Sequence, residues 1–464
     1  MMVKFRFLFW VVSMLMLPNC LLAQFDQERF GKNRIQHKNM EWYFFSSNNF
    51  EVYYYDNGMA NARMAIDFLE GEFDRITQMI GFVAYTKPKI FIYNSRQDLL
   101  QSNLNLNKND YTVDGQTFFA KLLAEVPFTG SWESFKEELV YGTSKAIIEE
   151  MLYGSSISDA FQSNLINSFP DWYIDGVARY LAYGWGMEMD DYVRHYLREN
   201  EKPKLHKLEK DEAGLVGQSI WNFIVQKYGR RYISSILNLS RINRNEENSI
   251  ANTIGNSYKA FSEQWQQYYT DINKQVLANF KDINEDNVIA ATSKNRIGKI
   301  NDVRFSPDAK HLAYVINNKG KFRVIVRDMA LNRERVIYKG GFVADGQRPD
   351  FSSPVIAWKD TLNLGIATFQ RGVATLRLRA VDGSGQDKIF LRNITQILSL
   401  DFSPSGVNMV LSALSGGKTD IYTLNMRGQG RRLTNDAFDD LSPVFLNDST
   451  IIYASNFTDL PDSL

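Results

Sequence analysis

Histidine and cysteine are scarce in this chain: four of the first (His37, His195, His206, His311) and one of the second, Cys20, in 464 residues. Cys20 sits in an N-terminal stretch that reads as a leader, so the remainder has no disulfide, no thiol nucleophile and no thiolate metal ligand. Net charge is lacking too, since Lys+Arg and Asp+Glu are both 53. That balance argues against a basic nucleic-acid binder and against an acidic disordered chain. Proline is held to 11 residues while aromatics reach 13%, a composition for packed layers rather than linkers. Beyond the leader no stretch approaches 18 uninterrupted apolar residues, so no transmembrane segment is expected.

What is present begins with Lys4 and Arg6, an apolar run over 7–17, and Leu21-Leu22-Ala23-Gln24 with its small residue. This is the order of a secretory signal over 1–24, and the run of about 11 residues is too short to span a bilayer comfortably. Leu17-Pro18-Asn19-Cys20 lacks the small residues that usually precede a lipidated cysteine. A secreted chain without disulfides suits a bacterial envelope, either soluble in the periplasm or peripheral at the outer membrane.

Composition shifts near 276–296, from helical periodicity to short β runs. Residues 294–464 hold 23 basic and 17 acidic residues, a surplus of +6, while 25–293 hold 28 and 36, or −8. Opposite signs would help two units dock, within a screening length of about 8 Å. In the first unit, 50–55 and 88–93 are β-rich, with an amphipathic helix over 60–80 closed by Gly81. Residues 116–128 read as one or two strands, with Pro127 marking a sheet edge. Ser131 caps a helix that runs to about Leu152 and ends at Gly154. Further helices are predicted at 157–168, 170–183, 188–198, 213–228, 230–239 and 257–277.

The second unit repeats. Phe305-Ser306-Pro307-Asp308 and Phe402-Ser403-Pro404-Ser405 are near copies, each followed by an apolar strand. Pro354-Val355-Ile356-Ala357-Trp358 and Pro443-Val444-Phe445 fit the same frame. Taking Phe305, Ile356, Phe402 and Phe445 as equivalent gives spacings of 51, 46 and 43 residues, the period of a four-stranded propeller blade. The first copy predicts strands at 299–305, 311–317, 322–329 and 334–338, and Val381-Asp382-Gly383-Ser384-Gly385 predicts a hairpin turn. The fourth copy has room for only two strands, so a partner or further chain is expected to complete the propeller.

The chemistry-bearing strings of the first unit resemble those of the peptidase-MA-like, gluzincin class of zinc metallopeptidases. Pro170-Asp171-Trp172-Tyr173-Ile174-Asp175-Gly176-Val177-Ala178-Arg179-Tyr180 stands where the family has Pro-x-Trp-x-x-Glu-Gly-x-Ala-x-Tyr. Gly217-Gln218-Ser219, Lys227-Tyr228-Gly229 and the segment with Phe261 and Trp265 follow in the same order, over roughly 40–277. The resemblance implies a zincin-like fold and a metal site on H-E-x-x-H. Zinc needs two imidazoles four residues apart, a third ligand and a carboxylate base. In the best register Glu137-Glu138-Leu139-Val140-Tyr141 keeps the base as Glu138 but replaces both histidines, by Glu137 and Tyr141. A frame shifted by four puts Tyr141 and Lys145 at the ligand positions, and a lysine would repel the metal. Asp175 takes the third ligand's place. No zinc and no other cofactor are expected.

Elsewhere, His195 and His206 lack metal-ligand spacing and read as exposed residues around Pro203. Glu149-Glu150 reads as a solvated helix face. Glu137, Glu138, Tyr141, Trp172 and Asp175 are left as candidate positions, either a vestigial groove that binds peptide or purely structural residues. The β unit resembles the TolB propeller, in which Phe-Ser-Pro-Asp recurs structurally, the proline fixing a turn and the aspartate capping it. The stretch from Arg34 through Tyr55 is similar to the start of long TolB-like envelope proteins of Bacteroidetes.

The expected architecture is multidomain: an α+β zincin-like domain over 25–278, a linker over 279–295, and an all-β propeller over 296–464, incomplete at about 3.5 blades. The expected function is a non-catalytic pseudoenzyme, a binding or scaffold module for envelope proteins or peptides in envelope biogenesis or secretion, with no nucleic-acid partner. The alternative is a hydrolase using Glu138, Asp175 and nearby carboxylates, or an unrecognised metal site.

Overall fold

The computed structural model describes residues 34–104, 122–154, 169–200, 203–208, 210–279, 288–289, 298–343, 347–370, 372–385 and 387–457. The leader with Cys20, the helix expected at 157–168, most of the linker and the first part of the 116–128 segment lie outside the described residues.

The first unit starts with four strands, β1 (Trp42–Ser46), β2 (Glu51–Tyr55), β3 (Lys89–Tyr93) and β4 (Leu123–Pro127), hydrogen-bonded in that order. β1 and β2 form an antiparallel hairpin, and β2, β3 and β4 run parallel. Pro127 is on the edge strand, where its missing N–H costs no ladder bond. Val52, Ile90, Ile92 and Val126 point to one face, as period-two alternation requires, and are buried there against α1 (Met59–Ile80). α1 buries Ala62, Ala65, Ile66, Leu69, Ile76 and Ile80, the stripe its spacing predicts. Gly81 ends it at φ 75°, its N–H donating to the Thr77 carbonyl at 2.8 Å. β1 was not among the predicted strands, because Trp42-Tyr43-Phe44-Phe45 is apolar on both faces and carries no alternation.

After a short helix α2 (Arg96–Leu99) come α3 (Trp132–Tyr153), α4 (Asp171–Tyr183), α5 (Met187–Glu199), α6 (Lys210–Tyr228), α7 (Arg231–Asn243), α8 (Glu246–Ile254) and α9 (Tyr258–Leu277). Ser131 caps α3 by accepting from the Ser134 N–H, and Gly154 ends it. Apart from the one at 157–168, which lies outside the described residues, the predicted helices recur with shifted ends, whereas α8 is new. Asn245 caps it and only Ser249 and Ile250 are buried, too few apolar positions for a periodic signal. Trp172, Trp221 and Trp265 lie in the core beneath these helices. The crossing of α4 with α6 is unusually close. A Cβ on Gly176 would sit 2.6 Å from Gly217 Cα, and one on Gly217 would overlap the Trp172 carbonyl. Gln218 donates to the Gly184 carbonyl at 2.9 Å, and Ser219 Oγ accepts from the Trp265 indole at 3.1 Å. The glycine, glutamine and tryptophan landmarks of the sequence thus hold helices together.

The second unit is a series of antiparallel sheets. β5 (Lys299–Phe305) to β8 (Arg333–Gly341) form the first, β9 (Val355–Trp358) to β12 (Lys388–Leu391) the second, and β13 (Gln396–Phe402) to β16 (Gly430–Arg432) the third. β17 (Asp440–Asn447) and β18 (Thr450–Ser455) form a two-stranded fourth. These are the predicted repeats, three complete and one half, and the described residues close no ring. Separate apolar clusters lie between the first and second sheets and between the second and third. The predicted glycine-rich hairpin joins β11 (Val373–Ala380) to β12, with Gly383 at φ 85°.

The repeated turn depends most on its serine. Ser306 Oγ accepts from the His311 N–H at 3.0 Å and donates to Asp308 at 2.7 Å. Ser403 accepts from the Asn408 N–H in the same way at 3.2 Å. The second copy lacks the aspartate, and Asp448 of the next sheet accepts from the Ser405 N–H at 3.0 Å instead. Both serines are buried, so their hydroxyls need these partners.

The units dock directly. Thr419 donates to the Gly130 carbonyl at 2.8 Å, Asn61 to that of Gly417 at 2.7 Å, and the Trp132 N–H to Asp439 at 2.7 Å. Leu414 of the third sheet belongs to the apolar cluster under the first unit's sheet. Hydrogen bonds and apolar contact join the two units along this seam.

Candidate functional site

α3 and α4 bring four of the five candidate residues to one crossing. Residues 137, 141 and 145 lie one turn apart along α3, so Glu137, Tyr141 and Lys145 share a face, with Glu138 beside it. α4 supplies Asp175 and, two turns on, Tyr183. Trp172 does not join them: it is 1% exposed in the helical core.

The two would-be metal-site carboxylates are each held by a cation of the chain itself. Asp175 Oδ1 accepts from Lys145 Nζ at 2.5 Å and from the Tyr141 hydroxyl at 3.1 Å. Glu138 accepts from Arg348 Nη1 at 2.9 and 3.2 Å, one bond to each oxygen, and from the Tyr183 hydroxyl at 2.8 Å. Arg348 lies between β8 and β9 of the second unit, and its guanidinium carbon stands 3.8 Å from the centre of the Tyr141 ring. Arg179 approaches the same ring at 5.9 Å while pairing with Asp211. Tyr141 is therefore an aromatic floor for cations.

Each ion pair is about three-quarters or more buried: Lys145 and Asp175 are 26% and 17% exposed, Arg348 and Glu138 28% and 25%. Burial alone would push the Asp175 carboxyl up, but Lys145, Arg348 and the Tyr141 hydroxyl outweigh it and hold it below its ordinary value. Burial would likewise draw Lys145 down, yet Tyr141, Asp175 and Glu149 raise it. Arg348 is raised against burial by Tyr141, Glu138 and Tyr183. Burial pushes Tyr183 up, keeping its hydroxyl a donor. Glu137 is raised by partial burial and then by Glu133, Glu138 and Glu188.

These residues do not fit the zinc that the family resemblance implies. Of the three ligand positions, Tyr141 offers a phenol that donates to Asp175, Asp175 would have to release Lys145 before coordinating a dication, and Glu137 alone makes no site. Among the described residues no cluster of three or more His, Cys, Asp or Glu side chains could hold a metal. His195 and His206 are exposed. Glu150 departs from the expected solvated face: it is 2% exposed, and burial pushes its carboxyl up. It follows Glu149 by about 100° around α3, enough to turn it into the core.

Sequence reasoning missed Arg348 and Tyr183. Tyr183 follows Asp175 by eight residues on one helix, a spacing that could have flagged it. Arg348 is 210 residues from Glu138, and no local pattern marks it.

No family model matches this chain, and no curated protein matches it. Solved structures similar to parts of it include TolB from Acinetobacter baumannii, at 16% identity and TM-score 0.26, covering 34% of this chain and 41% of that one. The β-propeller domain of the Trilobed protease from Pyrococcus furiosus is similar at 9% identity and TM-score 0.24, covering 34% and 52%. A nidogen/laminin complex is similar at 16% identity and TM-score 0.25, covering 32% and 53%. The chain thus spans about half, or less, of the structures it is similar to. No helix among the described residues is long and apolar enough to cross a membrane.

Proposed function

We propose that the chain is a non-catalytic binding or scaffold protein, a zincin-like helical unit without its metal joined to propeller-type sheets. It serves the bacterial envelope, exported across the inner membrane to the periplasm or the outer-membrane surface, and its partners are envelope proteins or peptides. One observation carries the reading: Arg348 of the second unit is bonded to Glu138, the one position that would supply a general base. A base needs a free lone pair within hydrogen-bond reach of the proton it takes. Glu138 accepts three bonds, two on Oε1 and one on Oε2, which hold the carboxylate against Arg348 and Tyr183 rather than toward a substrate. The same bonds tie the helical unit to the sheets, as a scaffold requires.

The test measures metal content by elemental analysis and peptide cleavage by fluorescence, on the chain and on Arg348→Ala. The expected result is no stoichiometric zinc and no chelator-sensitive cleavage in either. One zinc per chain together with chelator-sensitive turnover would overturn the reading in favour of a hydrolase.

A further inference from the structure

Between the first and second sheets, on the side facing α2, lies a cavity of about 720 Å³. That is the size of pockets that enclose a small molecule. Aromatic rings make part of its wall: Phe322, Tyr338 and Phe342 from the first sheet's side and Phe390 from the second's, while the Phe369 ring packs between the second and third sheets. Phe342 and Phe390 are 58% and 55% exposed, unusual for large rings that flank a cavity. At the floor stands Thr368, 6% exposed, whose hydroxyl has no hydrogen-bond partner. A buried hydroxyl left unpaired is costly, so it points to a missing partner. A side pocket of about 20 Å³ borders the same threonine and Gln396, with room for one water.

The rest of the wall narrows the chemistry. Asp350 is already engaged, accepting from Gln97 at 3.0 Å and from the Ser352 hydroxyl at 2.6 Å. Gln370 donates to the Tyr338 hydroxyl at 3.2 Å and accepts from Arg377 at 2.7 Å. Lys388 stands 4.3 Å over the Phe390 ring, with no carboxylate paired to it among the described residues. One exposed cation beside a committed carboxylate does not suit a polyanion. The wall strands also spend their backbone groups on their own sheets, through pairs such as Lys321↔Gly341 and Gln370↔Val373. An extended peptide, which is read through main-chain bonds, would find few there. What remains is flat rings for C–H faces and side-chain hydroxyl and amide groups for a hydroxyl edge.

We propose that this cleft binds a neutral saccharide, its ring faces on Phe342 and Phe390 and a hydroxyl on Thr368. The site is independent of the α3–α4 crossing, and its test says nothing about zinc or cleavage.

The test is calorimetric titration of the full chain with maltotriose, cellotriose and chitotriose, with trigalacturonate as the charged arm and trialanine as the peptide arm. Phe390→Ala, Phe342→Ala and Thr368→Val are compared by the same titration, and thermal melts establish that each is folded. At least one neutral trisaccharide should bind once per chain. Removing either exposed ring should weaken it about tenfold. Thr368→Val should weaken it roughly three- to tenfold. Failure of every neutral sugar, binding of trigalacturonate or trialanine alone, or sugar binding indifferent to both ring deletions in folded variants would overturn the proposal.

Discussion

The α3–α4 crossing and the cleft between the first two sheets are both made of aromatic rings and polar side chains, and they end in opposite states. At the crossing, Asp175 and Glu138 each meet a cation and a tyrosine hydroxyl. In the cleft, the Thr368 hydroxyl meets nothing and two phenylalanines face outward. The difference teaches where to look for binding. The bonded carboxylates of the crossing hold helices and sheets together, whereas the unpaired Thr368 hydroxyl borders a cavity with room for a partner.

The same contrast between closed and open recurs along the sheets, and the largest effect should come from there. Phe402 is 5% exposed and packs between the second and third sheets, whereas Phe305, at the equivalent point of the first, is 52% exposed. Phe402→Ala should cost about 3–5 kcal/mol in urea denaturation, and Phe305→Ala less than about 0.5 kcal/mol. Equal losses would show that the first sheet's outer side is covered in solution.

A smaller effect tests the filled crossing. Asp175→Asn leaves Lys145 without its carboxylate and should cost about 1.5–3 kcal/mol at pH 7. The sign follows from a folded-state carboxyl that titrates below its ordinary value of 3.8. Its stabilisation is present above that value and fades as pH falls through the lower folded one. The gap between the chain and the variant should therefore shrink below about pH 4. A gap that stays constant to pH 2 would remove charge from the explanation.

The smallest effect concerns Glu137, which has acidic neighbours instead of a cation. Its carboxyl is raised, so its charge works against folding above its ordinary value of 4.5. Glu137→Gln should raise stability by about 0.2–0.5 kcal/mol at pH 7 and by nothing near pH 4. Destabilisation at pH 7 would mean that Glu137 has an attractive partner.

Much of the fold was legible because it is written in local periods. The stripe of α1, the caps Ser131 and Gly81, and the Phe-Ser-Pro turns all act within a few residues of themselves. The candidate site was half legible. The 3.6-residue turn sets Glu137 and Tyr141 on one face of α3, and the Tyr141 hydroxyl meets Asp175 at 3.1 Å. What no register conveys is that Arg348 reaches Glu138 from a segment between two sheets, or that Trp172 faces the core. Glu150 misled for the related reason that a charged residue has no pattern of its own when it is buried. The cleft was invisible in the sequence, because its rings come from strands as far apart as Phe322 and Phe390 and meet only when sheets stack.

Arg348 gives the seam between the units an electrical character. Prising the sheets from the helices withdraws a guanidinium and leaves Glu138 with only the Tyr183 hydroxyl. Glu137, directly before it in the chain, is already raised by partial burial and by its acidic neighbours. Separation would therefore uncover a negative notch on α3, so that mechanical opening and the display of a cation-attracting surface are a single event.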